Sequence, residues 1–184
     1  MAIKTFTAGS VLTASDTNTF LANSGLVYVK SQTVSGAGSG VASVTITDAF
    51  SATYDDYLIT YTGGVLTADT NITCTIGGSG TNYYTSMIYG SFLGGGPANA
   101  AQNNATSVSW AGGGNSTVAN VHLTVKQPFR AVPTEFYAPI RYGTVYGNNV
   151  TYHGNSTSYT SITFAPSGAN LLSGVFTVYG YRKA

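Results

Sequence analysis

The sequence predicts an all-β protein: an antiparallel β-sandwich of the jelly-roll kind, preceded by a short helical segment. Three observations carry this. Runs rich in β-branched and aromatic residues, several with period-two alternation, recur from Leu26 to the C-terminus. Glycine clusters and prolines punctuate them. A helical pattern occurs once, within the first 25 residues. The expected organisation is an N-terminal segment over 1–25 and a β-domain over 26–184.

The N-terminal segment reads as one capped helix of about two turns. Thr13-Ala-Ser15-Asp16 fits a capping box, in which a hydroxyl and an acid three residues later satisfy two free amides. Val11 and Leu12 precede the box, Phe20 and Leu21 follow it, and Asn23 and Gly25 supply a stop. So short a helix is unstable alone and needs a surface to pack on.

About eleven strands are expected after it: 26–34, 41–47, 57–62, 70–76, 83–93, 105–110, 117–127, 139–146, 150–153, 159–165 and 174–182. Val118 to Val125 alternates most clearly. Gly36–Gly40, Gly77–Gly80, Gly94–Gly96 and Gly112–Gly114 read as loop hinges between them. A parallel sheet would need crossover helices, and no pattern supplies them.

Composition narrows the function. Charged residues are 7% of the chain, against roughly 25% in an average soluble domain. Hydrophobic residues are 43%, enough for a packed core. A surface so poor in charge suits a protein whose flanks are covered by other subunits. The net charge of +1 argues against nucleic acid as a partner. No stretch reaches the ~18 apolar residues of a membrane-spanning helix, so no membrane insertion is expected. Residues 1–6 lack the charged and apolar regions of a secretory signal. The Asn-x-Ser/Thr triplets at Asn71, Asn104, Asn115, Asn149 and Asn155 are ascribed to chance in an Asn- and Thr-rich chain.

The catalytic and metal-binding inventory is thin, and neither an enzyme nor a cofactor is expected. Cys74 is the single cysteine, flanked by Thr73 and Thr75, and reads as an inert core thiol. His122 and His153 have no metal-site spacing. Asp55 and Asp56 would point to opposite faces of a strand, so a turn or strand-entry role is expected of them. No Gly-x-Ser-x-Gly elbow occurs. A glycan depolymerase using Asp55, Asp56 or Glu135 is the residual enzymatic alternative.

The aromatic load is the stronger signal. The chain holds 14 Tyr and 8 Phe but one Trp. Tyrosine, with an apolar ring and a hydroxyl, suits half-buried and interface positions. Tyr83, Tyr84, Tyr89, Trp110, Tyr142, Tyr146, Tyr152 and His153 are the candidate contact residues, near the amides of Asn148 and Asn149. Rings flanked by amides suit a saccharide surface, but a tyrosine-rich core or a seam between subunits is the favoured reading.

The run Phe6-Thr-Ala-Gly-Ser-Val-Leu-Thr-Ala-Ser-Asp-Thr-Asn-Thr-Phe20 resembles a segment that opens many structural proteins of tailed bacteriophages. Thr47 to Tyr61 and the ending Ser173 to Ala184 resemble the first paired strands and the closing strand of a β-domain in phage virion proteins, of the tail-fibre and minor structural type known from marine phages. The Tyr83–Asn170 middle carries no such likeness. The resemblance implies a docking segment (Phe6, Val11, Leu12, Asp16, Phe20, Leu21) that joins other virion proteins of the tail or capsid. It further implies a homotrimer on the particle exterior, facing a host surface glycan. A capsid decoration protein is the alternative within the same class.

Overall fold

The computed structural model describes residues 7–11, 13 and 25–182. The expected helix and Phe6, Leu12, Asp16, Phe20 and Leu21 lie outside the described residues, whereas Val11 is described and largely exposed. Among the described residues there is no helix. The described residues form twelve strands: β1 (Leu26–Thr33), β2 (Val44–Ile46), β3 (Asp56–Leu66), β4 (Thr70–Ile76), β5 (Tyr83–Ser91), β6 (Ala98–Ala105), β7 (Val108–Gly114), β8 (Ala119–Lys126), β9 (Thr134–Tyr142), β10 (Val145–His153), β11 (Ile162–Pro166) and β12 (Leu171–Tyr181).

Every pairing between these strands is antiparallel, and the sheet forks at β8. One edge of β8 pairs with β3 from Asp56↔Lys126 to Gly64↔Ala119. The other edge is shared: Ala119–Val121 pair with β7, and Thr124–Lys126 pair with β9. A long arm therefore runs β1-β12-β3-β8-β9-β10-β5-β6, and a short arm runs β7-β4-β11-β2. The arms face one another. Phe164 of the short arm stacks on Phe176 of the long arm with ring centroids 4.5 Å apart, and Tyr61 stacks on Phe176 at 4.1 Å.

Period-two burial builds the core. Ile72, Cys74 and Ile76 point inward from β4, Val121, Leu123 and Val125 from β8, and Phe136, Ala138 and Ile140 from β9. Burial pushes the Cys74 thiol far up, so it stays protonated and unreactive. Burial also raises the Tyr61 hydroxyl, to about 12, and its proton goes to the Ser173 carbonyl.

Three sequence expectations are corrected. Gly112–Gly114 is not a loop hinge but the end of β7, paired to both β4 and β8. A Cβ on Gly114 would come 2.3 Å from Cα of Ala119, so only glycine allows the strands this approach. The expected strand over 139–146 is two strands, β9 and β10, because Gly143 turns the chain with φ +52°. The sequence reading places Ala98 to Asn104 outside any strand, and the segment from Ala98 to Ala105 forms β6. Its alanines and asparagines have weak strand propensity, and pairing with β5 outweighs that.

Candidate functional site

The outer face of β9, β10 and β5 is the candidate site, because there the usual pattern is reversed. Along β10 the polar side chains Asn149, Thr151 and His153 point inward and are buried. The apolar ones point outward: Tyr146 is 46% exposed, Val150 46% and Tyr152 44%. A strand that puts its histidine inside and its tyrosines in solvent has not been patterned for water alone.

Register assembles this face into rows. Tyr152 stands opposite Glu135 on β9 and Tyr84 on β5. Val150 stands opposite Tyr137 and Ser86, Asn148 opposite Pro139 and Ile88, and Tyr146 opposite Arg141 and Gly90. Tyr84, Tyr137 and Ile88 are all exposed. At one end the β5–β6 loop adds Phe92, whose ring stacks on Tyr146 at 4.6 Å and is itself exposed. Tyr146 lies over Gly90, where a Cβ would meet the tyrosine hydroxyl at 2.9 Å. Glycine at position 90 thus lets the ring lie flat along the strand.

Beside Tyr146 is an open groove of about 280 Å³, whose lining includes Ile88, Gly90, Pro97, Tyr146, Gly147 and Asn148. Among the described residues, no charged side chain lines it. Its volume falls near the lower end of the ~300–1,000 Å³ typical of small-ligand sites. A stacked aromatic platform, an aliphatic wall and an amide match the needs of a sugar ring: an apolar face to cover and hydroxyls to bond.

A second, polar hollow of about 230 Å³ lies at the β3–β8–β9 end, lined by Asp56, Lys126, Gln127, Pro133 and Glu135. Asp56 is the first residue of β3. Lys126 stands between Asp56 and Glu135 in register, so the two carboxylates are separated by two strand spacings with a cation between them. Lys126 lies 5.8 Å from the Tyr137 ring centroid, and the Tyr137 hydroxyl donates to the Glu135 carboxylate, which raises that tyrosine. Among the described residues no group of three His, Cys, Asp or Glu could hold a metal.

The structure divides the sequence candidates. Tyr84, Tyr146 and Tyr152 are exposed on this face. Tyr89, Trp110 and Tyr142 are half-buried and pack against the core. Tyr83 and His153 are corrected: both have no exposed surface, so neither can touch a glycan or a second subunit. Their rings stack on each other at 4.2 Å inside the arm. Sequence reasoning missed Tyr137, Ile88, Val150 and Phe92, although extending the period-two rule along β5, β9 and β10 from a known inward residue finds the first three.

Behind the face, the buried polar groups satisfy one another, except that the Thr134 hydroxyl on β9 finds no hydrogen-bond partner among the described residues. The Thr85 and Thr151 hydroxyls are 2.8 Å apart, and the Asn149 amide donates to the Trp110 carbonyl at 2.9 Å. His153 Nδ1 is 3.2 Å from the Asn82 carbonyl, which can only accept, so Nδ1 carries the proton. Nε2 then accepts from the Tyr159 hydroxyl at 2.9 Å. Burial lowers the His153 pKa below the ordinary 6.5, outweighing the Asn82 bond that favours the cation. The unfolded chain therefore takes up this proton first as pH falls. The stabilisation is complete above about pH 6.5 and is lost progressively below it. The melting temperature of the wild type should fall between pH 7 and pH 5, and His153→Gln should show a shallower fall. Equal slopes for the two proteins would remove His153 from this role.

No family model matches this chain, and no curated protein matches it.

Proposed function

We propose that this protein is a structural module of a tailed-bacteriophage virion: a tail-associated fibre or adhesin unit that works by surface contact rather than catalysis. Its N-terminal segment docks to other virion proteins, and the two facing arms form a β-sandwich displayed on the particle exterior. The outer face of β9, β10 and β5 meets the host surface glycan. The observation that carries this reading is the reversed strand β10, with Tyr146, Val150 and Tyr152 in solvent and Asn149, Thr151 and His153 buried. The low charge of the chain and the uncharged lining of the Tyr146 groove support a neutral ligand or a covered surface.

Binding of the purified protein to envelope polysaccharide of host cells tests the proposal. Tyr146→Ala and Phe92→Ala should each weaken binding about tenfold or more, equivalent to ~1.4 kcal/mol. Asp56→Ala and Glu135→Ala should leave it unchanged. Failure of the wild type to bind any host surface, or polysaccharide cleavage abolished by the carboxylate variants, would overturn it. Capsid decoration is the second reading, favoured by the same charge-poor surface, which suits a lattice of neighbours as well as a tail.

A further inference from the structure

Among the described residues, the forked sheet ends in three strands that lack a neighbour on one side: β1, β2 and β6. Two of them carry protection against further pairing. Strand β2 is only three residues long. Strand β1 has a register shift between Tyr28 and Lys30, and the Lys30 ammonium sits beside it, 2.8 Å from the Thr47 carbonyl and 4.0 Å from Asp48. Short length, irregularity and lysine are the usual means of blocking an edge.

Strand β6 has none of these over most of its length. Its sequence, Ala98-Asn-Ala-Ala-Gln-Asn-Asn-Ala105, contains no charge and no proline. It pairs only with β5, and among the described residues its backbone makes no hydrogen bond to any other backbone group. An irregularity comes only near its end, where Asn104 has φ +52° and the register shifts between Tyr83 and Thr85. Residues 98–103 are left as a regular, uncharged edge whose outer amides and carbonyls have no backbone partner among the described residues.

We propose that this edge pairs with the same edge of a second copy of the chain, antiparallel about a twofold axis through Ala101. This inference stands independently of any glycan. Opposed residues in an antiparallel pair share a face, so self-pairing must centre on a residue rather than between two. With Ala101 opposite itself, Asn99 meets Asn103 on either side of the axis. A side-chain amide both donates and accepts, so that pair is self-complementary. Two methyl groups meet at the axis without crowding. No like charges are opposed, which is what usually penalises twofold strand pairing. The other polar side chains of the strand are already engaged within one chain, the half-buried Gln102 accepting from Ser109 and the exposed Asn104, past the irregularity, from the Asn82 backbone amide. That leaves the outward Asn99, Ala101 and Asn103 for the partner. The result joins two long arms edge to edge and extends the Tyr146–Ile88 face across both copies, with twofold symmetry in place of the threefold arrangement implied by resemblance.

Sedimentation and oxidative crosslinking of the full chain test this together. The wild type should sediment as a dimer. Ala101→Lys, which puts two cations at the axis, should give a monomer with an unchanged circular dichroism spectrum. Ala101→Cys guards against a misfolded lysine variant: Cα atoms of opposed residues lie about 4.5–5.5 Å apart, within the ~4.4–6.8 Å span of a disulfide. Mild oxidation should convert it to a covalent dimer, while Ile88→Cys on the neighbouring strand should not crosslink. Cys74 is buried and should not contribute. A monomeric wild type would overturn the proposal. So would a dimer that persists in Ala101→Lys or fails to crosslink in Ala101→Cys, since it would use another surface.

Discussion

Phe176→Ala is expected to destabilise the protein by about 3–5 kcal/mol, the cost of truncating a fully buried aromatic side chain. The ring has no exposed surface and is held between two others, Tyr61 at 4.1 Å and Phe164 at 4.5 Å. Phe164 belongs to the short arm and Tyr61 and Phe176 to the long one, so the truncation opens a cavity where the arms meet. With total stabilities of about 5–15 kcal/mol common for natural domains, such a loss should lower the urea midpoint severely. Phe92→Ala, which removes an exposed ring, should move that midpoint little. Equal effects of the two substitutions would mean that the arms do not pack as described.

Gly114→Ala should be nearly as damaging despite adding one methyl group. The new Cβ would lie 2.3 Å from both Cα and Cβ of Ala119, its ladder partner on β8. Neither is the end of a flexible side chain, so two backbones must separate. Overpacking of this kind costs about 1–3 kcal/mol, occasionally more. Gly112→Ala should behave alike, because its Cβ would come within 2.5 Å of the Asn120 carbonyl oxygen and 2.6 Å of a Val121 methyl. Gly96→Ala and Gly80→Ala meet open space and require no positive φ, so they should be neutral or stabilise by up to about 1 kcal/mol. Thermal or urea unfolding of the four variants checks the contrast. A tolerated Gly114→Ala would show that β7 does not approach β8 this closely.

That contrast also marks how far the fold was legible in the sequence. The all-β class followed from composition and period, because Val, Ile, Thr and Tyr runs between glycines have few alternatives. Gly94–Gly96 and Gly112–Gly114 are indistinguishable as sequence, yet one lies in a loop and the other ends a paired strand. What separates them is the distance to Ala119 and Val121, a tertiary fact. Strand β6 was hidden for a related reason: alanine and asparagine carry weak local preference, and pairing with β5 decides the matter. The candidate site was legible in part. Tyrosines near Asn148 pointed to β10, but the sequence does not say which of its two faces turns inward. The polar residues there would ordinarily be assigned to solvent. They are inside because Thr85, Trp110, Asn82 and Tyr159 supply partners from four other places in the chain.

The proposed role makes the outward aromatic face of β9, β10 and β5 a contact surface of an assembled particle. A reconstruction of the virion that resolves this chain tests that most directly. The expected result is the protein on the exterior at the tail, anchored by its N-terminal segment, with Tyr137, Tyr146 and Tyr152 against a glycan or a neighbouring subunit. A particle that lacks the chain, or one in which those three rings face open solvent with the host bound elsewhere, would contradict it.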